Sequence, residues 1–149
     1  METKIRFGTM EIIDEITSLF DAYRVFYEQE SDPSGAKEYL SARLINNESV
    51  ILIAYYELIP CGFTQLYPVF SSVSMESTYI LNDLYVLPEY RNKGIGKNLL
   101  DAAKQHTIKK EFKGLALETY YENPARRLYE KEGWKEDKQF VHYFWKNPK

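Results

Sequence analysis

Along this chain the spacing of apolar residues switches repeatedly between a period of two and one of about 3.6. Lys4–Phe7 reads as a short first strand. From Ile12 onward Ile12, Ile13, Ile16, Leu19, Phe20, Tyr23, Phe26 and Tyr27 recur at helical spacing. A second helix follows, with Asp32 able to cap it, Pro33 at its first position and Ala36, Tyr39, Leu40 and Leu44 as its inward stripe. Asn46-Asn47 ends it. Val50–Tyr56 is continuously apolar, as expected of a strand covered on both faces. Ile59-Pro60-Cys61-Gly62 is the expected turn into a second strand, Phe63–Val69, making an antiparallel hairpin. A polar stretch then leads into a long strand, Thr78–Leu87.

The next helix is expected from about Gly96 to Lys110, with Ile95, Leu99, Ala103 and His106 sharing its buried side and Leu100 beside them. Gly114 begins a short strand, Leu115–Thr119; Pro124 opens a helix carrying Ala125, Leu128 and Tyr129, and Gly133 stops it as a left-handed cap. Phe140–Trp145 reads as a last, aromatic strand. The order β-α-α-β-β-β-α-β-α-β predicts an α/β protein (α+β in some schemes) with a mixed, twisted central sheet flanked by about four helices, and excludes a doubly wound dinucleotide fold. No repeat or long linker interrupts it, so residues 1–149 read as one domain.

Composition adds little to the fold and narrows the function. With 44% hydrophobic and 28% charged residues the chain reads as a soluble globular protein, and its net charge of -3 argues against bulk nucleic-acid binding. Cys61 is the one cysteine, so there is no internal disulfide and no thiolate metal cluster, and burial as a small hydrophobe is its ordinary reading. METKIRFGTM lacks the apolar core of a signal peptide, and no stretch approaches ~18 apolar residues, so a cytoplasmic setting without membrane contact is expected. His106 and His142 are spaced for neither a metal site nor a triad. The 13 tyrosines suit a core, an interface or the wall of a site for a cation.

Candidate chemistry concentrates in LNDLYVLPEYRNKGIGKNLL, Leu81–Leu100: an apolar strand, a proline turn, and a basic loop opening directly into a helix. Gly94 and Gly96 let the backbone curl, and the N–H groups of residues 92–97 can converge on a pyrophosphate at the positive end of the helix. Arg91, Lys93 and Lys97 can add charge. A nucleotide-triphosphate loop would need G-x-x-x-x-G-K-[S/T], but Lys97 is followed by Asn98; a dinucleotide fingerprint would need a third glycine where Leu99 stands. A solvated strand-to-helix turn with surface cations is the plainer alternative.

Arg91-Asn92-Lys93-Gly94-Ile95-Gly96 matches the signature [Q/R]-x-x-G-x-[G/A], and Asn123–Trp134, NPARRLYEKEGW, matches N…A…LYEK-x-G-[F/W]. Together, after LYVLPEY at Leu84–Tyr90, they identify the chain as similar to the GCN5-related N-acetyltransferase family over its whole length. The resemblance implies a cytoplasmic enzyme that moves an acetyl group from acetyl-coenzyme A to a primary amine, directly in a ternary complex and without a metal. It implies that Leu84, Tyr85 and Val86 pair with the pantetheine arm like an added strand and that the N–H of Val86 faces the thioester carbonyl. It further implies that Arg91, Asn92, Lys93, Gly94, Ile95, Gly96 and Lys97 seat the pyrophosphate, that Asn123 and Ala125 lie along the arm, and that Tyr129 sits by the sulfur. Asn123 precedes Tyr129 by six residues where many relatives have seven, so either Asn123 or Glu122 fills the usual asparagine position.

Acetyl transfer needs an uncharged amine, a stabilised oxyanion and a protonated leaving group. Val86 N–H suits the second task and the Tyr129 phenol the third, packing being the plainer role for Tyr129. Asp83 and Glu118 are the candidate bases. Strict alternation puts Asp83 on the face of Leu81, Tyr85 and Leu87, opposite Asn82, Leu84 and Val86. The resemblance places Tyr27, Glu28, Glu30 and Asp32 at the acceptor mouth, where an acidic, aromatic rim would suit a small cationic amine such as a polyamine or an aminoglycoside, unless Asp32 only caps its helix. Alternatives are a protein lysine or N-terminal amine as acceptor and, in another class, a non-catalytic acyl-coenzyme A sensor. The aromatic final strand suits pairing across a homodimer.

Overall fold

The structure, a computed structural model, describes residues 2–149. It forms two compact units, residues 2–118 and residues 119–149. In the first, five strands make one sheet in the order β1 (Thr3–Phe7), β2 (Val50–Tyr56), β3 (Ile59–Ser71), β4 (Glu76–Val86) and β5 (Leu115–Ala116). The first four run antiparallel to their neighbours; β5 runs parallel to β4. Helices α1 (Ile13–Phe26) and α2 (Pro33–Ile45) lie between β1 and β2 in sequence, and α3 (Ile95–Lys109) between β4 and β5.

Each helix forms where its apolar stripe can be covered. Ile13, Ile16, Leu19 and Phe20 of α1 and Ala36 and Leu40 of α2 are buried against Ile51, Ile53, Tyr55, Phe63 and Tyr85 of the sheet. The registers place Ile53 opposite Phe63 and Phe63 opposite Tyr85, so these three side chains line one face. Phe63 has no accessible surface and meets Phe20 and Tyr23 edge-on, a site where truncation to alanine costs about 3–5 kcal/mol. The other face is covered by α3, through Ile95, Leu99, Leu100 and Ala103. His106 is half-buried there, its Nε2 3.2 Å from the Tyr79 hydroxyl. The Asp32 carboxylate accepts from Gly35 N–H at 3.0 Å, so Asp32 caps α2.

Two details of the sheet depart from the sequence pattern. The hairpin turns at Glu57-Leu58, both left-handed (φ 49 and 71), and not at Ile59–Gly62. Pro60 instead lies inside β3, where the register slips so that Ala54 faces Gly62 and Tyr55 faces Pro60. A proline has no N–H to contribute to a ladder, and a bulge is one place where a strand tolerates that. The second slip lies between β3 and β4: Gln65 faces Asp83, but Leu66 faces Leu81, so Asn82 is an extra residue. A bulge breaks the alternation of faces. Asp83 therefore joins Tyr85 on the α1–α2 side, whereas Leu81 joins Leu66 on the α3 side. The expectation that Asp83 shares a face with Leu81 is thereby corrected.

In the second unit, α4 (Ala125–Lys131) ends in a closed cap. Trp134 N–H bonds to the Tyr129 carbonyl at 2.9 Å and Gly133 N–H to that of Glu130 at 3.2 Å, with Gly133 left-handed at φ 93. The expected strand over Phe140–Trp145 is absent: these residues belong to no strand, and Phe140, Val141, Tyr143, Phe144 and Trp145 are each at least 74% exposed. Their β propensity is high, but propensity measures fit to a half-buried pleated surface, and here no such surface covers them.

Candidate active site

β5 reaches only the first half of β4. Tyr79 pairs with Leu115 and Ile80 with Ala116; beyond Ile80 no strand borders that edge of β4 among the described residues. The expected strand Leu115–Thr119 stops at Ala116, and Glu118 lies exposed two residues beyond it. Leu87 N–H bonds to the Cys61 carbonyl on β3 at 2.8 Å. Antiparallel alternation then directs Tyr85 N–H to β3 and the N–H groups of Leu84 and Val86 to the open edge. An extended ligand can add there as a further strand.

The basic loop follows at the end of this edge. Asn92 (φ 62) and Gly94 (φ 79) are both left-handed, and Gly94 caps α3. The first backbone bond back into that helix is Asn98 N–H to Gly94 C=O at 3.1 Å. Helix geometry thus turns the N–H groups of Ile95 and Gly96 out of the helix's own ladder, at the positive end of the helix dipole. Alternating left- and right-handed residues before a helix make a concave nest of donors. These residues fit a pyrophosphate.

The three cations of the loop each have a protein partner. Lys97 pairs with Asp101 at 2.8 Å, one turn along α3. Lys93 Nζ lies over the Tyr56 ring, 5.3 Å from its centre. Arg91 Nε donates to the Val86 carbonyl at 2.9 Å, and its guanidinium lies 5.3 Å from the centre of Phe26 and 5.6 Å from that of Tyr85. What this loop offers an anion first is therefore its backbone donors.

On the α1–α2 side Asp83 is almost fully buried, at 2% exposure. Gln65 Nε2 donates to its Oδ2 at 2.6 Å, and Asn82 Nδ2 to its Oδ1 at 2.8 Å. Burial raises the Asp83 pKa, while hydrogen bonds from Asn82, Gln65 and Tyr23 pull it back. Gln65 Oε1 is buried without a donor. Tyr67, two residues along β3, shares a hydroxyl–hydroxyl bond of 2.8 Å with Tyr39 of α2; burial, Tyr39 and the charge of Asp83 all raise its pKa. Gln65, Tyr67 and Asn82 were not singled out from the sequence. The signal available was a glutamine inside an otherwise buried strand, where a polar side chain needs a partner.

The remaining expected residues fall as follows. Tyr27 ends α1, its ring 5.1 Å from Tyr23 and 5.2 Å from Phe26, and Glu28 follows it exposed and left-handed at φ 64. Cys61 is buried, its thiol 3.5 Å from the Ala54 carbonyl, and burial pushes its pKa up, which suits packing and not carrying an acyl group. In the second unit Asn123 Oδ1 accepts from Ala125 N–H at 2.9 Å and its Nδ2 reaches Thr119 at 2.8 Å, so this side chain holds the start of α4. Tyr129 is half-buried on α4, its ring 6.0 Å from that of Trp134. No helix among the described residues is long and apolar enough to cross a membrane.

Comparison with known proteins agrees with this geometry. Residues 14–134 match the model of the acetyltransferase (GNAT) family. The chain is 55% identical over 129 residues to an uncharacterized N-acetyltransferase, YhfO, of Bacillus subtilis, covering 86% of this chain and 87% of that one. It is 29% identical over 131 residues to a probable acetyltransferase of Haemophilus influenzae, covering 79% and 90%. A solved structure of a probable acetyltransferase superposes with a TM-score of 0.92 at 36% identity, over 98% of this chain and 99% of that one. An open strand edge leading into a nest of donors, carried on a chain this similar to acetyltransferases, places the protein in the GNAT family, as an acetyl-coenzyme A-dependent N-acetyltransferase.

Proposed function

We propose that the acceptor is a small cationic primary amine, such as a polyamine or an aminoglycoside, acetylated directly in a ternary complex within one acetyltransferase domain spanning residues 1–149. The observation that carries this reading is the buried carboxylate of Asp83 on the α1–α2 face of β4, close in sequence to the backbone donors of Val86 on the open edge. A desolvated carboxylate attracts an ammonium and, with its pKa raised, is a better base for the proton that the amine must lose. The orphaned Gln65 Oε1 beside it offers a further acceptor for an N–H. Glu28 and Glu30 add negative charge beyond the end of α1.

Acetyl-coenzyme A supplies an activated acyl thioester. The nest at residues 92–97 holds its pyrophosphate, and the Leu84 and Val86 N–H groups align its pantetheine arm. Val86 N–H donates to the thioester carbonyl and stabilises the negative charge that develops there. As the new C–N bond forms and the C–S bond breaks, Asp83 takes the proton released by the amine, through a water where the amine does not reach it. Tyr129 returns a proton to the departing sulfur. Glu118, exposed beyond β5, is the less suited base.

The test is thiol release with spermidine, an aminoglycoside and a lysine peptide in parallel. Turnover with either small amine and little with the peptide is expected. Turnover only with the peptide would move the acceptor to protein amines. Tight binding of acetyl-coenzyme A with no transfer to any of the three would make the chain a sensor. Tyr129→Phe should lower turnover by ~10²-fold or more with acetyl-coenzyme A affinity nearly unchanged, the size usual for loss of a positioned acid.

A further inference from the structure

Arg91 is the first residue of the loop signature, and its side chain turns away from the nest. Three contacts define it: Nε donates to the Val86 carbonyl at 2.9 Å, and the guanidinium covers Phe26 of α1 and Tyr85 of β4, with ring centres at 5.3 and 5.6 Å. Phe26 packs in turn on Tyr85 at 5.9 Å and on Tyr27 at 5.2 Å. One residue of the cofactor loop therefore grips the end of β4 and the end of α1 together.

We propose that Arg91 is a positioning residue: it fixes the carbonyl of Val86 and the aromatic end of α1, and so orients the edge that receives the thioester and the amine-side wall, without acting as a counter-charge for the pyrophosphate. The contact with most geometric content is the Nε–H bond. Val86 presents one N–H and one C=O to the open edge. With the C=O taken by Arg91, the N–H is the group left for a thioester carbonyl, and the peptide that follows Val86 is held in place. The two ring contacts hold the guanidinium through cation–π attraction. They also tie Phe26, whose side chain is more than half exposed, to the cofactor loop.

Covalent structure supplies a sharp test. In glutamine the amide nitrogen is as many bonds from Cα as Nε is in arginine, so Arg91→Gln keeps a donor for Val86 and discards the charge. In lysine that place is a methylene, so Arg91→Lys keeps the charge and discards the donor. A positioning role ranks turnover wild type, then Gln, then Lys, with Gln within ~5-fold of wild type and Lys down ~10-fold or more. Coenzyme A affinity, measured by calorimetry, should stay within about threefold in both variants. Amide exchange of residues 84–88 and 23–27 should quicken in Arg91→Lys and stay near wild type in Arg91→Gln.

The reverse ranking overturns the proposal: coenzyme A weakened ~10-fold in Arg91→Gln and restored in Arg91→Lys would make Arg91 a phosphate ligand. Equal exchange rates in all three proteins would also overturn it. The inference rests on the acetyl-transfer reading only for the turnover arm. If wild type transfers acetyl to no amine, that reading fails on its own evidence, while affinity and exchange still decide the role of Arg91.

Discussion

In the proposed reaction, the residue on which most of the chemistry turns is Asp83. A carboxylate at 2% exposure loses hydration that only a few hydrogen bonds replace, and the net effect is a raised pKa. The sign of the stability effect follows. The folded state holds its proton above the ordinary value of 3.8, so between that value and the raised one it binds more protons than the unfolded chain. Stability attributable to Asp83 is fully present below pH 3.8 and is lost as pH rises through the folded-state pKa. Asp83→Asn removes that slope, and Gln65 can turn its orphaned oxygen to the new amide. We expect a melting temperature at pH 7 no lower than wild type, a flatter stability–pH curve above pH 3.8, and turnover reduced by ~10²–10⁴-fold. Thermal melts across pH, beside initial rates, check all three. A clear fall in melting temperature at pH 7 would show that charged Asp83 supports the fold.

At the scale of elements the site belongs to boundaries more than to interiors. Gly94 caps α3 at φ 79, and nothing lies within 4 Å of where its Cβ would be, so the constraint is conformational and not steric. Gly94→Ala should cost about 1–2 kcal/mol and, by reshaping the nest, weaken coenzyme A about tenfold. Asp32→Ala, which removes the cap of α2, should cost ~0.5–2 kcal/mol and leave coenzyme A affinity alone. Calorimetry paired with thermal melts separates the two outcomes. Equal affinities in both variants would remove Gly94 from the seat.

The same boundaries mark what could be read from the chain. Val50–Tyr56 was legible as a strand because seven consecutive apolar residues admit little else, and α3 because Ile95, Leu99 and Ala103 recur at helical spacing under a glycine cap. Pro60 concealed the true turn, because the bulge that accommodates it depends on its neighbour strand and leaves no local signature. The aromatic run at 140–145 suggested a strand through propensity alone. Asp83 was found by residue type, and counting in twos set it rightly beside Tyr85 and Leu87 but wrongly beside Leu81, which the bulge at Asn82 sends to the other face. Gln65 and Tyr67 lie in a segment, Phe63–Ser72, that reads as a candidate wall of the acceptor site, but neither stands out individually, because their importance lies in what they meet across the ladder and on α2.

For the whole molecule, binding and stability are linked by mass action. Coenzyme A at 100 times its dissociation constant adds about 2.7 kcal/mol, which for a chain of this size raises the melting temperature by ~5–10 °C. Salt provides an independent check on how the anion is held. The net charge is -3, and Arg91, Lys93 and Lys97 already have protein partners, so backbone donors carry the load. Such donors release few counterions, and affinity should fall less than about tenfold between roughly 50 and 300 mM salt. A steeper titration would mean that lysines leave their partners to meet the phosphates.

Asn82, the extra residue opposite the junction of Gln65 and Leu66, has a consequence for how such a site is gained or lost. It acts as a phase shifter in the middle of β4: upstream, odd-numbered residues serve the α3 layer, and downstream they serve the α1–α2 layer. Deleting this single residue restores strict alternation and re-aims every residue on one side of it, so an acid can trade layers with no change in side-chain type. A chain lacking Asn82 should bury Asp83 against the apolar α3 layer or refuse to fold, whereas Asn82→Ala, which keeps the backbone count and loses the bond to Asp83, should still fold, at a cost of about 1–3 kcal/mol. Chemical denaturation of the two variants side by side would reveal whether the acid's address is written in the length of the strand.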